Sequence, residues 1–253
     1  MKVTVLGTGT SQGIPIIACD CHVCSSLDFR DKRLRVSIHI EVNGKSLVVD
    51  TGPDFRTQML RANIKKVDAI LVTHEHKDHI AGLDDVRAYN FKYNYNMPVF
   101  AMPRVCKQLE HDFAYIFAEH KYPGVPMVEL QEVEHEPFSF EGVQIIPITV
   151  MHYLLPVLAF RIQDFTYITD AKTIEPSEIE KIKGTKTLIV NALRKEEHIS
   201  HFNLAEALAF IETIRPERAY LTHISHNMGR HAQVSKQLPP NVFLAYDGLV
   251  IET

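Results

Sequence analysis

Four side chains able to bind a metal ion lie close together in this 253-residue chain. They belong to the run His74-Glu75-His76-Lys77-Asp78-His79. The run follows the apolar segment 69–72, which predicts a buried strand. In an extended chain, His74 and His76 project to the same side, whereas Asp78 and His79 follow as the chain turns and can face a second point. One short loop could therefore supply ligands to two adjacent metal ions; a solvated polar loop is the alternative.

The composition indicates a globular chain. A hydrophobic content of 45% suits one large domain or two fused halves, and we predict a single domain over 1–253 with similar halves, about 1–126 and 127–253. No window approaches the ~20 apolar residues of a membrane helix, and segment 1–7 lacks the apolar core of a signal peptide. We therefore expect a cytoplasmic protein with no membrane partner. The net charge of -4, with scattered basic residues, argues against a nucleic-acid partner.

Three further candidate ligands fall at the ends of predicted strands. The alternation of apolar residues predicts strands over 2–6, 34–42, 46–49, 67–72, 143–150, 157–162, 165–169, 187–190, 218–221, 242–244 and 249–251. Helices are predicted over 54–62, capped by Asp54, over 204–214, capped by Asn203, and within 84–126. His152, Asp170 and His223 follow strands, so we expect them at one shared edge.

The His-x-His-x-Asp-His run resembles the signature of the metallo-β-lactamase superfamily. The resemblance implies an α/β (α+β) fold, a four-layer αββα sandwich, with two metal ions at one edge. It also implies the ligand sets, which are His74, His76 and His152 for one metal, Asp78, His79 and His223 for the other, and Asp170 as a bridge. The aspartate matching Asp50 supports the metal loop in that superfamily without binding metal. A turn aspartate that caps a helix is the alternative for Asp50.

Imidazole and carboxylate groups suit Zn²⁺, Mn²⁺ or Fe²⁺. Two such ions ~3.5–4 Å apart can share a hydroxide and stabilise an in-line displacement, and metal binding lowers the pKa of water toward ~7. A diiron redox protein of the superfamily would carry Glu in place of His76, and a zinc β-lactamase would carry Cys in place of Asp170. We therefore predict a hydrolase with two divalent ions, Zn or Mn, in which Asp78 is both ligand and catalytic residue.

Three of the four cysteines form a cluster, Cys19-x-Cys21-x-x-Cys24. A reducing compartment disfavours disulfides, and such clustering points toward metal. Three thiolates leave a tetrahedral zinc site one ligand short. The chain resembles the subgroup that contains the cyclic-phosphate phosphodiesterase of phosphonate degradation, in which the second histidine of a His-Ile-Ser-His motif completes a structural zinc site. That resemblance implies His226 as the fourth ligand. His22 and three reduced, buried thiols are the alternatives.

The same resemblance matches His201 to a histidine that lies near the metals without binding them. A histidine there can donate a proton to a leaving alkoxide. An exposed loop histidine is the alternative for His201, and it is the favoured interpretation for His198.

The predicted function is hydrolysis of a small phosphate ester, cyclic esters included, by a metal-bridging hydroxide. An acyl hydrolase (thioesterase or lactonase) is second, and a tRNA 3′-processing nuclease, which would need a basic or Gly/Pro-rich arm, is third. A homodimer is an open alternative to a monomer. The role of the aromatic segment 89–95 is also open, and it could be a substrate lid, a subunit contact or a packing element.

Overall fold

The computed structural model describes residues 1–253 and contains fourteen strands. In chain order they are β1 (Lys2–Gly7), β2 (Ser37–Val42), β3 (Lys45–Val49), β4 (Ala69–Leu71), β5 (Met97–Ala101), β6 (Val128–Glu132), β7 (Phe138–Phe140), β8 (Val143–His152), β9 (Leu155–Ile162), β10 (Phe165–Ile168), β11 (Thr187–Asn191), β12 (Arg218–Thr222), β13 (Val242–Leu244) and β14 (Val250–Glu252). They form two seven-stranded sheets, ordered β14-β1-β2-β3-β4-β5-β6 and β13-β12-β11-β10-β9-β8-β7.

Eight α-helices accompany the sheets. They are α1 (Phe55–Arg61), α2 (Lys77–Ile80), α3 (Arg87–Tyr93), α4 (Pro103–Asp112), α5 (Ala114–Phe117), α6 (Pro176–Ile182), α7 (Leu204–Ile214) and α8 (His231–Val234). None of the helices has the length and apolar content needed to cross a bilayer.

The alternation of side chains along β9 shows how the layers stack. Leu158 and Phe160 enter an apolar cluster that also contains side chains of the first sheet, whereas Val157 and Ala159 enter a second cluster with side chains of α7. Successive residues of a strand point to opposite faces, so the second sheet packs on the first with one face and on helices with the other. Phe55 of α1 lies in the first cluster. The predicted αββα sandwich is confirmed.

The carboxyl ends of β8, β10 and β12 meet at one edge of the second sheet. β10 to β13 run parallel, and β8 and β10 are both antiparallel to β9. The first sheet reaches this edge just after β4, where the backbone N–H of Leu158 donates to the carbonyl of Thr73 at 3.0 Å. The predicted shared edge therefore exists.

Several predicted elements differ in the structure. Segment 84–126 was predicted to be helical, but it contains β5, whose short apolar run includes Pro98; such a run cannot be distinguished from a helix by periodicity, and proline argues against a strand. β6, β7 and α6 were not predicted. β14 pairs with β1, so the first sheet includes residues from the end of the chain. The division near residue 126 stays a prediction.

One predicted helix cap is wrong and the other is confirmed. Asp54 precedes α1 but makes no capping bond; its carboxylate instead accepts from the backbone N–H of Arg35 at 2.9 Å and from the guanidinium. Asn203 caps α7 in a capping box, since its side chain accepts from the backbone N–H of Glu206 at 2.8 Å and the Glu206 carboxylate accepts from the N–H of Asn203 at 2.9 Å. The Asp54 carboxylate therefore binds Arg35 instead of the backbone N–H groups at the start of α1.

The aromatic segment 89–95 packs against the chain before β4. The hydroxyl of Tyr89 donates to the carbonyl of Ile64 at 3.0 Å and that of Tyr93 to the carbonyl of Lys65 at 2.7 Å. Phe91 is exposed. These hydrogen bonds give the tyrosines a packing role.

Candidate metal centre

The loop between β4 and α2 brings its histidine nitrogens to two neighbouring points. His74 is buried, and its Nε2 lies 2.9 Å from Nδ1 of His76. His79 is also buried, and its Nε2 lies 3.3 Å from Oδ2 of Asp78. His74 also lies beside His79, with ring centroids 4.1 Å apart, so the two points adjoin, and the division of these ligands between two metals stays a prediction.

Glycine at position 52 lets this loop approach the turn after β3. The backbone N–H of Thr51 donates to the carbonyl of His79 at 2.8 Å. A Cβ atom on Gly52 would lie 2.1 Å from the carbonyl oxygen of Asp78, which is well inside van der Waals contact. The absence of a side chain at Gly52 is therefore what allows α2 to dock on this turn.

Asp50 holds the loop from beneath. It is fully buried in a left-handed conformation with φ 65°. Its carboxylate accepts from the backbone N–H of Thr73 at 2.8 Å, from the Thr73 hydroxyl at 2.9 Å and from Nδ1 of His79 at 2.7 Å. A carboxylate that accepts a hydrogen bond from the Nδ1–H group of a histidine orients the ring and leaves Nε2 free to bind a metal. This is the supporting geometry that the resemblance implies for Asp50.

The second sheet contributes His152, Asp170 and His223. His152 ends β8, and its Nδ1 donates to the carbonyl of Ser200 at 2.8 Å. Oδ1 of Asp170 lies 3.2 Å from Nε2 of His223, and Oδ2 lies 3.4 Å from Nε2 of His79. The carboxylate of Asp170 thus faces donor atoms from both sheets, as a bridging ligand would.

Backbone strain coincides with these positions. Asp170 and His223 adopt left-handed conformations with φ 58° and 54°. Non-glycine residues rarely occupy this region, and such residues concentrate at functional sites. Asp50 and two of the proposed ligands therefore adopt a backbone conformation of higher free energy, which the surrounding packing must offset.

The electrostatics of the centre suit cations. Burial alone would raise the pKa of Asp170, but the adjacent His223 and His79 hold it well below its usual range. Burial opposes protonation of His79, but Asp170 and Asp50 hold its pKa well above its usual range. Nε2 of His79 and Nε2 of His223 are buried and have no hydrogen-bond partner, which is costly for polar atoms. A donor set of imidazoles and carboxylates with such unpaired nitrogens fits divalent metal ions.

His201 lies among the proposed ligand histidines. Its ring centroid is 4.4 Å from that of His152 and 4.7 Å from that of His223, and its Nδ1 is 3.7 Å from Oδ1 of Asp170. The side chain is buried, so the exposed-loop interpretation is wrong. Burial, reinforced by His223, lowers the pKa of His201 to about 2, so the ring is neutral. His201, His152 and Asp170 also lie close enough together to share a metal, so position alone does not separate ligand from proton donor.

A second cluster joins the amino-terminal cysteines to the segment just after β12. Nδ1 of His226 lies 3.4 Å from Sγ of Cys19, 3.4 Å from Sγ of Cys21 and 3.6 Å from Sγ of Cys24. His22, the alternative ligand, is not part of this group. The backbone N–H of Cys24 lowers the pKa of Cys21 to about 6, whereas burial raises the pKa of Cys24 to about 11. Three thiols and one imidazole are the donor set of a tetrahedral zinc site.

Replacing Cys21 tests this cluster. If it holds a structural zinc, Cys21→Ser lowers the zinc content by about one ion per chain and the Tm by at least about 5 °C. The folded fraction keeps much of its activity, because the thiols lie outside the histidine centre. Elemental analysis and thermal melting measure both effects. Cys106→Ser is the matched control, since Cys106 is a buried thiol on α4 outside the cluster. Unchanged zinc content and Tm in Cys21→Ser would show that the thiols bind no metal.

Three supporting residues escaped sequence analysis. Thr73 bonds to Asp50, and the hydroxyl of Thr169 donates to Oδ2 of Asp170 at 2.5 Å. Each threonine directly precedes a proposed ligand, and that position was the available signal. Ser200 acts through its backbone carbonyl, so no side-chain pattern could have revealed it.

Comparisons with known proteins agree with this fold. A family model of the β-lactamase superfamily domain matches residues 45–224. The octanoyltransferase of Porphyromonas gingivalis is 38% identical over 252 residues, which are 98% of this chain and 51% of that protein. A crystal structure of a diphosphatase from the PhnP family has a TM-score of 0.93 at 40% identity and covers 100% of this chain and 97% of that chain. Zinc-bound PqqB from Methylobacterium extorquens has a TM-score of 0.81 at 17% identity over 100% of both chains, and supports the fold alone.

This chain belongs to the metallo-β-lactamase superfamily. The predicted family and fold are confirmed, and so is the predicted class of enzyme, a metal-dependent hydrolase. Within the superfamily, its 40% identity to the diphosphatase places it beside the PhnP family. The chain spans about half the length of the octanoyltransferase, at 51%.

Proposed function

We propose that this chain is a dinuclear metal-dependent phosphodiesterase that acts on a small-molecule phosphate ester, cyclic esters included. The observation that carries the proposal is the position of Asp170 between the two proposed ligand sets. Its carboxylate lies 3.4 Å from Nε2 of His79 and 3.2 Å from Nε2 of His223, and it also lies close to His74 and His152 of the other set. When bound, two divalent ions, Zn or Mn, supply Lewis-acid activation of the phosphate ester and of water. The 40% identity to a diphosphatase supports phosphate chemistry.

The proposed ligands divide into three groups. One ion is held by His74, His76 and His152, the other by Asp78, His79 and His223, and Asp170 contacts both. A third ion, a structural zinc, is held by Cys19, Cys21, Cys24 and His226. The donor atoms of the cysteine cluster, and those of Asp78, His79 and His223, form two close groups. In the remaining set, Nε2 of His74 lies 2.9 Å from Nδ1 of His76, and the ring centroid of His152 lies 5.2 Å from that of His76.

Supporting hydrogen bonds fix the free donor atom of two of the proposed ligands, His79 and His152. The carboxylate of Asp50 accepts a hydrogen bond from Nδ1–H of His79, and the carbonyl of Ser200 accepts one from Nδ1–H of His152. Both rings are thereby held with Nε2 available, which raises their basicity as ligands. Asp170 stays anionic because its histidine neighbours favour the charged form. The protein thus orients the centre before any substrate arrives.

His201 is the proposed proton donor for the leaving group. Its low pKa, about 2 in the free protein, means that the ring is neutral before substrate binds. A bound phosphate brings negative charge beside the ring and raises its pKa, which favours uptake of a proton from solvent as the substrate binds. A proton transferred from the ring to a leaving alkoxide avoids the release of a strongly basic anion. Asp78 has a proposed catalytic role as well, because its carboxylate lies beside His79.

A substrate panel tests the proposal. Metal-replete protein is assayed against bis-p-nitrophenyl phosphate, a set of thioesters and a set of lactones. We expect phosphodiester hydrolysis to give the highest kcat/KM. Thioester or lactone hydrolysis exceeding that of the diester would overturn the proposal.

An acyl hydrolase is the second candidate. The observation that favours it is the 38% identity to a protein named octanoyltransferase, whose name indicates acyl chemistry. The similarity covers only 51% of that protein, so the acyl chemistry can lie in its other part. The same panel separates the two functions.

A further inference from the structure

An open pocket of about 560 Å³ lies directly beside the proposed metal centre. The proposed ligands His76 and His152 form part of its wall. The rest of the wall comes from the turn after β8, the start of β9 and the loop before α7, and consists of Tyr153, Leu154, Leu155, Ile199 and Ser200. A molecule bound at the metals would therefore have room for a substituent on this side.

The wall is apolar and exposed. Tyr153 is 54% exposed, Leu154 74% and Ile199 66%. No lysine, arginine, aspartate or glutamate lines the pocket. Exposed apolar side chains that adjoin a polar centre are typical of a ligand-binding site. The pocket therefore suits an uncharged group better than a second phosphate.

The wall is also fixed relative to the ligands. Tyr153 has φ 57°, a conformation that is rare for a bulky residue. It lies in a two-residue turn between His152 and Leu155, which face each other across the β8–β9 pair. The loop that carries Ile199 is tied to His152 through the Ser200 carbonyl at 2.8 Å. A substituent in the pocket would thus be positioned together with the phosphate.

We propose that this pocket binds an uncharged aryl or alkyl group carried by one ester oxygen of the substrate phosphate. The inference rests on the proposed function, because a phosphate sits beside the pocket only if the metal centre binds one. Apolar contacts away from the reacting atoms can raise kcat/KM for esters that make them. The pocket therefore selects aryl or alkyl phosphodiesters over esters of small polar alcohols.

Binding of two non-hydrolysable ligands tests the pocket. Calorimetry on metal-replete protein compares the Kd of phenylphosphonate with that of methylphosphonate. We expect wild-type protein to bind phenylphosphonate at least about tenfold more tightly, and the double variant Leu154→Ser/Ile199→Ser to lose most of that preference. Leu27→Ser is the matched control, since Leu27 is 100% exposed and lies outside the pocket; it keeps the preference. Equal Kd values in wild-type protein, or a preference unchanged in the double variant, would overturn the inference.

Hydrolysis of bis-p-nitrophenyl phosphate by the same preparations separates this inference from the proposed function. Absence of turnover would reject the phosphodiesterase, and the Kd comparison would still decide the pocket. Turnover without a phenyl preference would retain the phosphodiesterase and reject the apolar subsite.

Discussion

Asp170→Ala lowers phosphodiester turnover by at least about 10³-fold while the chain stays folded. The carboxylate lies 3.4 Å from His79 and 3.2 Å from His223, which belong to one proposed ligand set. It also lies close to His74 and His152 of the other set, so it is the proposed contact between the two metals. Its loss removes that link and leaves the histidines of the two sheets without their shared anion. The measurement is the initial rate of bis-p-nitrophenyl phosphate hydrolysis together with the metal content of each preparation.

The control for this variant is Asp164→Ala, which removes an exposed aspartate from the same sheet. Asp164 pairs with Lys186 on the surface, and loss of such a pair changes stability little. We expect its activity and metal content to equal those of wild-type protein. Near wild-type activity in Asp170→Ala, with circular dichroism showing a folded chain, would remove Asp170 from the site.

His201→Ala lowers turnover by ~10²–10⁴-fold while the metal content stays full. The loss depends on the leaving group if His201 donates a proton. An alkyl ester releases a strongly basic alkoxide and shows the full defect, whereas a p-nitrophenyl ester needs little protonation and shows a smaller one. Both rates are measured on one metal-replete preparation.

His111→Ala is the control, because the His111 side chain is 83% exposed and lies outside the centre. An equal loss on both substrates would assign His201 a positioning role. A lower metal content would make it a ligand, which the proximity of His201 to His152 and Asp170 also permits.

The sequence predicted the shared edge that gathers the candidate site residues more completely than it predicted the strands. His152, Asp170 and His223 were chosen because their order after the histidine run resembles that of the superfamily, which requires no knowledge of how the sheets pack. The strands β5, β6 and β7 carry no such residues. β5 is a short apolar run containing Pro98, and β6 is only partly buried, so their periodicity was too weak to detect.

Competing partners account for the remaining differences. The predicted cap at Asp54 is wrong because the backbone N–H and the guanidinium of Arg35 donate hydrogen bonds to its carboxylate. A local sequence pattern does not contain that distant partner. The burial of His201 likewise depends on the packing of His152 and His223 around it. The resemblance implied a histidine near the metals at position 201, whereas only the fold shows that its pKa is lowered.

Metal titration tests the central claim most directly. Protein stripped of its active-site metals is reconstituted with Zn²⁺ or Mn²⁺, and hydrolysis of bis-p-nitrophenyl phosphate is measured against metal per chain. We predict that one tightly held ion resists mild chelation and that activity then rises to its maximum as about two further ions bind. Full activity in protein that holds at most one ion per chain would contradict the account.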